Sequence, residues 1–280
     1  MHRNIPLLLL ATVLTVACKP QAAPAAPSAA PSPPAAAPAS APTQVPDAPQ
    51  VMRDIFRADA ADAQSQTRLP DGRYASVWQG HAFALDGKRY YVGLAEYTDA
   101  SENEYPAESD TVSLAQATYA LEAGAWRLLG ENEGVGRFGA FNKPPQIDET
   151  SQPQGTAIDG RYFVGIPTVE TAAAGARLTF YELFAFSPKD VRWTYLGYVP
   201  GGRDTRAGCT ADAGVPQPVV CVSSQATLRF AASAADWPSL TVAIDGEVVG
   251  DDGKARPADA RDAVEYRFDP ASSIYLKADQ

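Results

Sequence analysis

Asp-Gly pairs punctuate the chain at Asp71-Gly72, Asp86-Gly87, Asp159-Gly160 and Asp245-Gly246, and this punctuation constrains the fold more than any other feature. Such a pair suits a tight reversal that needs positive φ. Between and around these turns lie short runs rich in aromatic and β-branched residues. They are Arg73–Gln79, Ala82–Leu85, Arg89–Tyr97, Val112–Leu121, Ala125–Leu129, Arg161–Val169, Arg177–Phe186, Val191–Val199, Thr227–Phe230, Leu240–Ile244 and Val264–Phe268. Runs of this length and composition read as strands. The expected fold is all-β: two packed antiparallel sheets or a barrel-like domain. A small propeller-like ring is the alternative, since closure or pairing is needed to protect strand edges.

An internal repeat organises these runs. Asp71-Gly72-Arg73-Tyr74 returns as Asp159-Gly160-Arg161-Tyr162, and Gly87-Lys88-Arg89 returns as Gly175-Ala176-Arg177, both at an offset of 88. Trp126-Arg127-Leu128-Leu129-Gly130 resembles Trp193-Thr194-Tyr195-Leu196-Gly197, but at an offset of 67. The expectation is a duplicated β-meander, with units at 71–145 and 159–221 and C-terminal strands over 222–280. The polar stretch 99–110 is peculiar to the first unit. The repeated tetrapeptide is then the start of a structural unit rather than a catalytic motif: a turn, followed by a tyrosine that buries its ring and keeps a polar end.

One helix is expected before the strands. Asp47 can cap it, Pro49 and Gln50 suit its first turn, and Val51, Met52, Ile55 and Phe56 form an apolar stripe at helical spacing. Upstream, residues 19–50 hold 10 proline and 12 alanine among 32. Such a composition cannot build a core and favours an extended tether. At about 3.1 Å per residue it reaches at most roughly 100 Å.

The first residues give an address. Met1-His2-Arg3-Asn4 is a short basic region, and Ile5–Leu14 is an apolar run too short to span a bilayer. Thr15-Val16-Ala17-Cys18 follows and resembles the lipobox of bacterial lipoproteins, although leucine stands at Leu14, one position earlier than that motif favours. The resemblance covers the first 18 residues and implies a signal peptide over 1–17 and lipidation at Cys18. With the Pro/Ala tether taken to span 18–50, the strand pattern leaves a β-rich periplasmic domain expected over 51–280, held at the membrane through the lipid. Lys19, where aspartate would resemble an inner-membrane retention signal, directs the expectation to the outer membrane. Loss of the signal removes Arg3 from 23 basic residues against 33 acidic ones, taking the formal charge from −10 to −11. No basic patch appears, so nucleic acid is a poor partner, whereas a basic protein partner is electrostatically permitted.

The remaining cysteines, Cys209 and Cys221, are expected to form a disulfide in an oxidising compartment. Closing so small a loop contributes about 3 kcal/mol in the chain-entropy model. Catalytic signatures are sparse. His81 is the one histidine left after the signal, expected at the surface or a strand edge. Nucleophile-elbow and zinc-protease motifs are absent. No metal loop or cofactor fingerprint appears either: the acidic stretch 99–110 and Asp251-Asp252-Gly253 lack EF-hand order, and Gly134-Val135-Gly136-Arg137-Phe138-Gly139 lacks the P-loop ending. Glu96, Glu170 and Glu182 leave open a carboxylate-dependent glycan hydrolase, which needs two acids close in space. The leading expectation is a non-enzymatic envelope lipoprotein that binds another protein. An inhibitor or immunity protein against an envelope-acting enzyme is one subtype, and a structural or glycan-binding lipoprotein is a third reading. The candidate contact residues are Tyr97, Glu102, Glu104, Tyr105, Glu108, Arg137, Phe138 and Phe141, with the disulfide-bridged loop beside them.

Overall fold

The computed structural model describes residues 44–58, 66–98, 105–172, 175–209 and 220–278. Cys18, the tether, Glu102 and Glu104 lie outside the described residues. Among the described residues no helix is long and apolar enough to cross a membrane.

The helix forms where its cap predicts. In α1 (Ala48–Phe56) the Asp47 carboxylate accepts from the Gln50 amide at 2.9 Å, and Arg57 ends the helix in the left-handed conformation. The strands that follow are β1 (Thr67–Arg68), β2 (Tyr74–Leu85), β3 (Lys88–Thr98), β4 (Val112–Glu122) and β5 (Ala125–Phe138). They pair in that order as one antiparallel sheet. The second sheet contains β6 (Gln146–Ile147), β7 (Gln154–Ile158), β8 (Arg161–Thr171), β9 (Arg177–Ser187), β10 (Arg192–Asp204), β11 (Ser223–Ala231), β12 (Ser239–Val249), β13 (Ala255–Pro257), β14 (Val264–Asp269) and β15 (Ile274–Lys277). Its main order is β15-β14-β12-β11-β10-β9-β8-β6. The fold is therefore all-β, with antiparallel sheets packed face to face around a shared core rather than arranged as the blades of a ring.

Strand alternation builds three apolar layers. Between the sheets, Phe83, Tyr90, Val92, Leu94, Leu114 and Phe138 meet Tyr162, Val164, Ile166, Phe184, Phe186 and Trp193. On the outer face of the first sheet, Val51, Met52, Ile55 and Phe56 of α1 pack on Ala75, Ala95, Ala115, Ala117 and Tyr119. Small residues let the helix lie close, and at Gly93 an added Cβ would fall 2.5 Å from Val51 Cγ2. The second sheet curls so that Phe163, Tyr181, Leu183 and Ala185 face Leu196, Ala226, Leu228, Leu240, Val242 and Tyr275. β8 and β9 thus present side chains to two cores, one on each face.

Two expectations need correction. The runs Arg73–Gln79 and Ala82–Leu85 are one strand, because a bulge at Trp78 absorbs the register change between Val77 and Gln79. Gly80 does not break it; it makes room for Tyr91, whose Oη would lie 2.1 Å from an added Cβ. The W-x-x-L-G pair, in turn, falls outside the repeat. β2 and β8, then β3 and β9, correspond at the 88-residue offset. Trp126, however, lies on the fourth strand of its meander and Trp193 on the third. Neighbouring antiparallel strands alternate in direction, so those two strands run oppositely within their units and cannot be equivalent.

The two DGRY turns share a side-chain arrangement. The Arg73 guanidinium lies 4.6 Å from the Tyr97 ring centroid and pairs with Asp71 and Glu133. That of Arg161 lies 5.0 Å from the Trp237 centroid and pairs with Asp236. In both units the arginine covers an aromatic ring while an acid holds it there, a stabilising arrangement of modest size at a partly exposed site.

Candidate interaction surface

The β3–β4 loop and the segment after β5 meet at one end of the first sheet. The Ala107 carbonyl accepts from the Asp110 amide at 3.0 Å and from the Phe141 amide at 3.2 Å, and the Asp110 carbonyl accepts from the Asn142 amide at 2.7 Å. The Asp110 carboxylate holds the first segment by accepting from the Ala107 amide at 2.7 Å. Ala140 and Lys143 exchange backbone hydrogen bonds of 3.1 and 2.9 Å, closing a two-residue turn. Its central residues, Phe141 and Asn142, have φ of 53° and 55°. Asparagine tolerates this conformation. For phenylalanine it costs roughly 1–2 kcal/mol, because Cβ crowds the following carbonyl. Gly139 before the turn is obligatory, since a Cβ there would sit 2.0 Å from the Lys143 carbonyl oxygen. The strained turn presents an aromatic ring at its tip: Phe141 is 49% exposed, and Tyr105 in the adjoining segment is 79% exposed.

The other candidates divide between framework and surface. Glu108 is exposed in the same segment. Arg137 is exposed but ties β5 to the β4 entry, donating to Thr111 Oγ1 and the Thr111 carbonyl at 2.9 Å each. Phe138 is buried in the inter-sheet core against Trp78, at 4.7 Å between ring centroids, so its ring is out of a partner's reach. Tyr97 packs edge-on to Phe56 beneath Arg73, and its hydroxyl donates to the Glu133 carbonyl at 3.0 Å. The Cys209–Cys221 disulfide is formed, with Cα atoms 5.3 Å apart, on the connection between β10 and β11 in the other sheet. The chain it encloses, 210–219, lies outside the described residues.

The acids that catalysis would call on are placed differently from one another. Glu170 is exposed. Glu96 and Glu182 are 2% and 4% exposed, in the layer between the sheets. Glu96 accepts from Ser76 Oγ at 2.5 Å, while its Oε2 has no partner among the described residues. Burial raises its pKa against the lowering effect of Ser76. Glu182 accepts from Tyr195 Oη at 2.6 Å and from Thr168 Oγ1 at 3.5 Å, yet burial still pushes its pKa up to about 7. Sequence reasoning placed these acids on strands but not in the layer between the sheets. Alternation alone leaves the choice of face open when both faces of a strand are covered.

His81 also departs from expectation. It is half-buried inside β2 rather than at the surface, with Nε2 3.0 Å from Tyr162 Oη and its ring beside the stacked pair of Phe83 and Tyr162. Burial pulls its pKa down to about 4. The imidazole bridges the two sheets as a neutral group. Among the described residues, no cluster of three His, Cys, Asp or Glu side chains is placed to hold a metal ion. Trp237 does not offer a free sugar platform either: Phe268 stacks on it at 4.1 Å and Arg161 lies over its ring.

No protein-family model matches the chain, and no curated protein matches it. Among solved structures, a GDP-Man-dependent mannosyltransferase, MPT-1 from Leishmania mexicana, aligns over 72% of this chain and 69% of its own. The identity is 8% and the TM-score 0.21, a level at which the alignment carries no argument about fold or activity.

Proposed function

We propose that this protein is a lipid-anchored envelope protein of the bacterial outer membrane whose folded domain binds another protein through the end of the first sheet that carries Tyr105 and Phe141. The observation that carries this reading is the exposed phenylalanine held at positive φ, hydrogen-bonded into a neighbouring segment that exposes a tyrosine. Backbone strain of this kind concentrates at functional sites, and aromatic anchors concentrate at protein interfaces. The burial of Glu96 and Glu182 weighs against the carboxylate-hydrolase reading, because a polymeric glycan cannot reach them without separating the sheets. Inhibition of a basic envelope enzyme is the subtype that the net negative charge favours.

Phe141→Gly tests the reading cleanly. Glycine accepts the turn without the steric penalty but loses more chain entropy on folding, so stability should change by less than about 1 kcal/mol. Pulldown from envelope extract with the wild-type protein should recover a protein partner, and Phe141→Gly should lose it. Recovery of glycan alone, or a partner held equally well by the variant, would refute the proposal.

A further inference from the structure

A polar cleft of about 230 Å³ opens in the second sheet, away from the Phe141 turn. It is lined by the start of β9, the end of β10, the start of β11 and the segment after β6. Three arginines face it, Arg177, Arg203 and Arg206, together with two carboxylates, Asp148 and Asp204. The carboxylates are already occupied. Asp148, 2% exposed, accepts from the Thr150 amide at 2.9 Å, from Thr150 Oγ1 at 2.6 Å, from Ser151 Oγ at 2.8 Å and from Arg177. Asp204 accepts from Arg206 through both oxygens.

Arg203 stands apart. It is half-buried, its backbone amide donates to Ser224 Oγ at 3.2 Å, and its guanidinium has no partner among the described residues. A β-bulge just before it aims the side chain. The register steps from Pro200 opposite Phe180 to Gly202 opposite Thr179, so Gly201 is the extra residue. Gly202 sits at φ 124°, where a Cβ would lie 2.4 Å from the Ser224 carbonyl oxygen. The pairing of β10 with β11 is confined to Gly202–Asp204 opposite Ser223–Gln225. Thr179, Ser223 and Ser224, each carrying a hydroxyl, line the same space.

The geometry points to a phosphate-binding site in this cleft, with Arg203 as the principal ligand-contacting residue and Arg177 and Arg206 beside it. Two of three guanidinium charges are matched by Asp148 and Asp204, which leaves one positive charge in a chain of net charge −10. That surplus sits in a concave polar pocket, where guanidinium forks and hydroxyls together match the several oxygens of a tetrahedral anion. The group could belong to a soluble phosphomonoester or to a phospholipid headgroup.

Calorimetry on the full chain decides the matter, with inorganic phosphate, glycerol 3-phosphate and monomeric dihexanoyl phosphatidylglycerol as probes and acetate as the control anion. Saturable binding of at least one phosphate probe is expected, weakened about tenfold in Arg203→Gln, the loss expected for one charge-assisted contact. The melting temperature of Arg203→Gln should stay unchanged, since its guanidinium holds no partner among the described residues. Arg192→Gln, in a separate cleft that Lys189 and Asp190 also line, should bind as the wild type does. Preference for glycerol 3-phosphate assigns a soluble source, and preference for the lipid assigns a headgroup. Absence of binding by all phosphate probes, equal binding of acetate, or affinity unchanged in Arg203→Gln would each overturn the proposal.

Discussion

Replacing Glu182 by glutamine should make the protein more stable in alkaline solution and change it far less in acid. The carboxyl is buried between the sheets, and its pKa rises from an ordinary 4.5 to about 7. In the interval between those values the folded state keeps a proton that the unfolded state releases, so stability falls as pH rises through it. Above pH 7 both states are ionised and the full cost of the buried charge is present. Each pH unit of the interval is worth about 1.4 kcal/mol, which gives about 3 kcal/mol. Glutamine retains an oxygen to accept from Tyr195 and carries no charge. His81 supplies the opposing slope. Its pKa falls from 6.5 to about 4, so the stability gained by keeping it neutral is lost as pH drops through that range. In the wild type the two slopes offset each other between pH 4.5 and 6.5, where the variant should show the rising limb of His81 alone. Urea unfolding of both proteins provides the measurement. The stability gain of Glu182→Gln should be larger at about pH 8.5 than at about pH 5 by roughly 2–3 kcal/mol. An equal gain or loss at both pH values would refute the argument that Glu182 is charged at the expense of the fold.

Two further outcomes follow from packing and from the disulfide. Gly93→Ala should destabilise by about 1–3 kcal/mol by driving a methyl group into Val51 and lifting α1 from the sheet, seen as a lower urea midpoint. Cys209→Ser with Cys221→Ser should cost less than the roughly 3 kcal/mol of the loop-entropy model. Thr205 already closes the base of that excursion: its Oγ1 donates to the Val220 carbonyl at 2.6 Å and accepts from the Val222 amide at 2.9 Å. A loss at or above the model value, measured by thermal or urea unfolding, would show that Thr205 does not hold the base unaided.

How much of this was readable in advance depended on the range of the interaction. Local signals performed well. Asp47 caps α1, and Asp86-Gly87 and Asp159-Gly160 make the expected tight turns; Tyr105 and Phe141 are exposed on two segments that meet in space. The approach of the two segments that carry them was not encoded locally, because it runs through backbone bonds between residues more than 30 positions apart. Phe138 stands next to a polar loop yet is buried, and Tyr97 is half-buried, because aromatic residues beside such a loop look alike in sequence whether they point out or in. The bulge at Trp78 hid the continuity of β2, since it shifts the alternation by one residue in mid-strand. The arginine cleft left no motif at all. Its residues come from four separate segments, and what distinguishes Arg203 from Arg177 and Arg206 is that, among the described residues, no acid pairs with its guanidinium.

The shared wall of β8 and β9 sets how the molecule can come apart. Phe184 fills the layer between the sheets while its neighbour Leu183 fills the curl behind, so loosening either side withdraws support from the other. A chain cut after the disulfide would lose β11 to β15 and leave Phe163, Tyr181 and Leu183 facing water. The first sheet could not then keep its own partner in place. The second meander is therefore no detachable cassette, and the domain should melt in one step with both sheets leaving together.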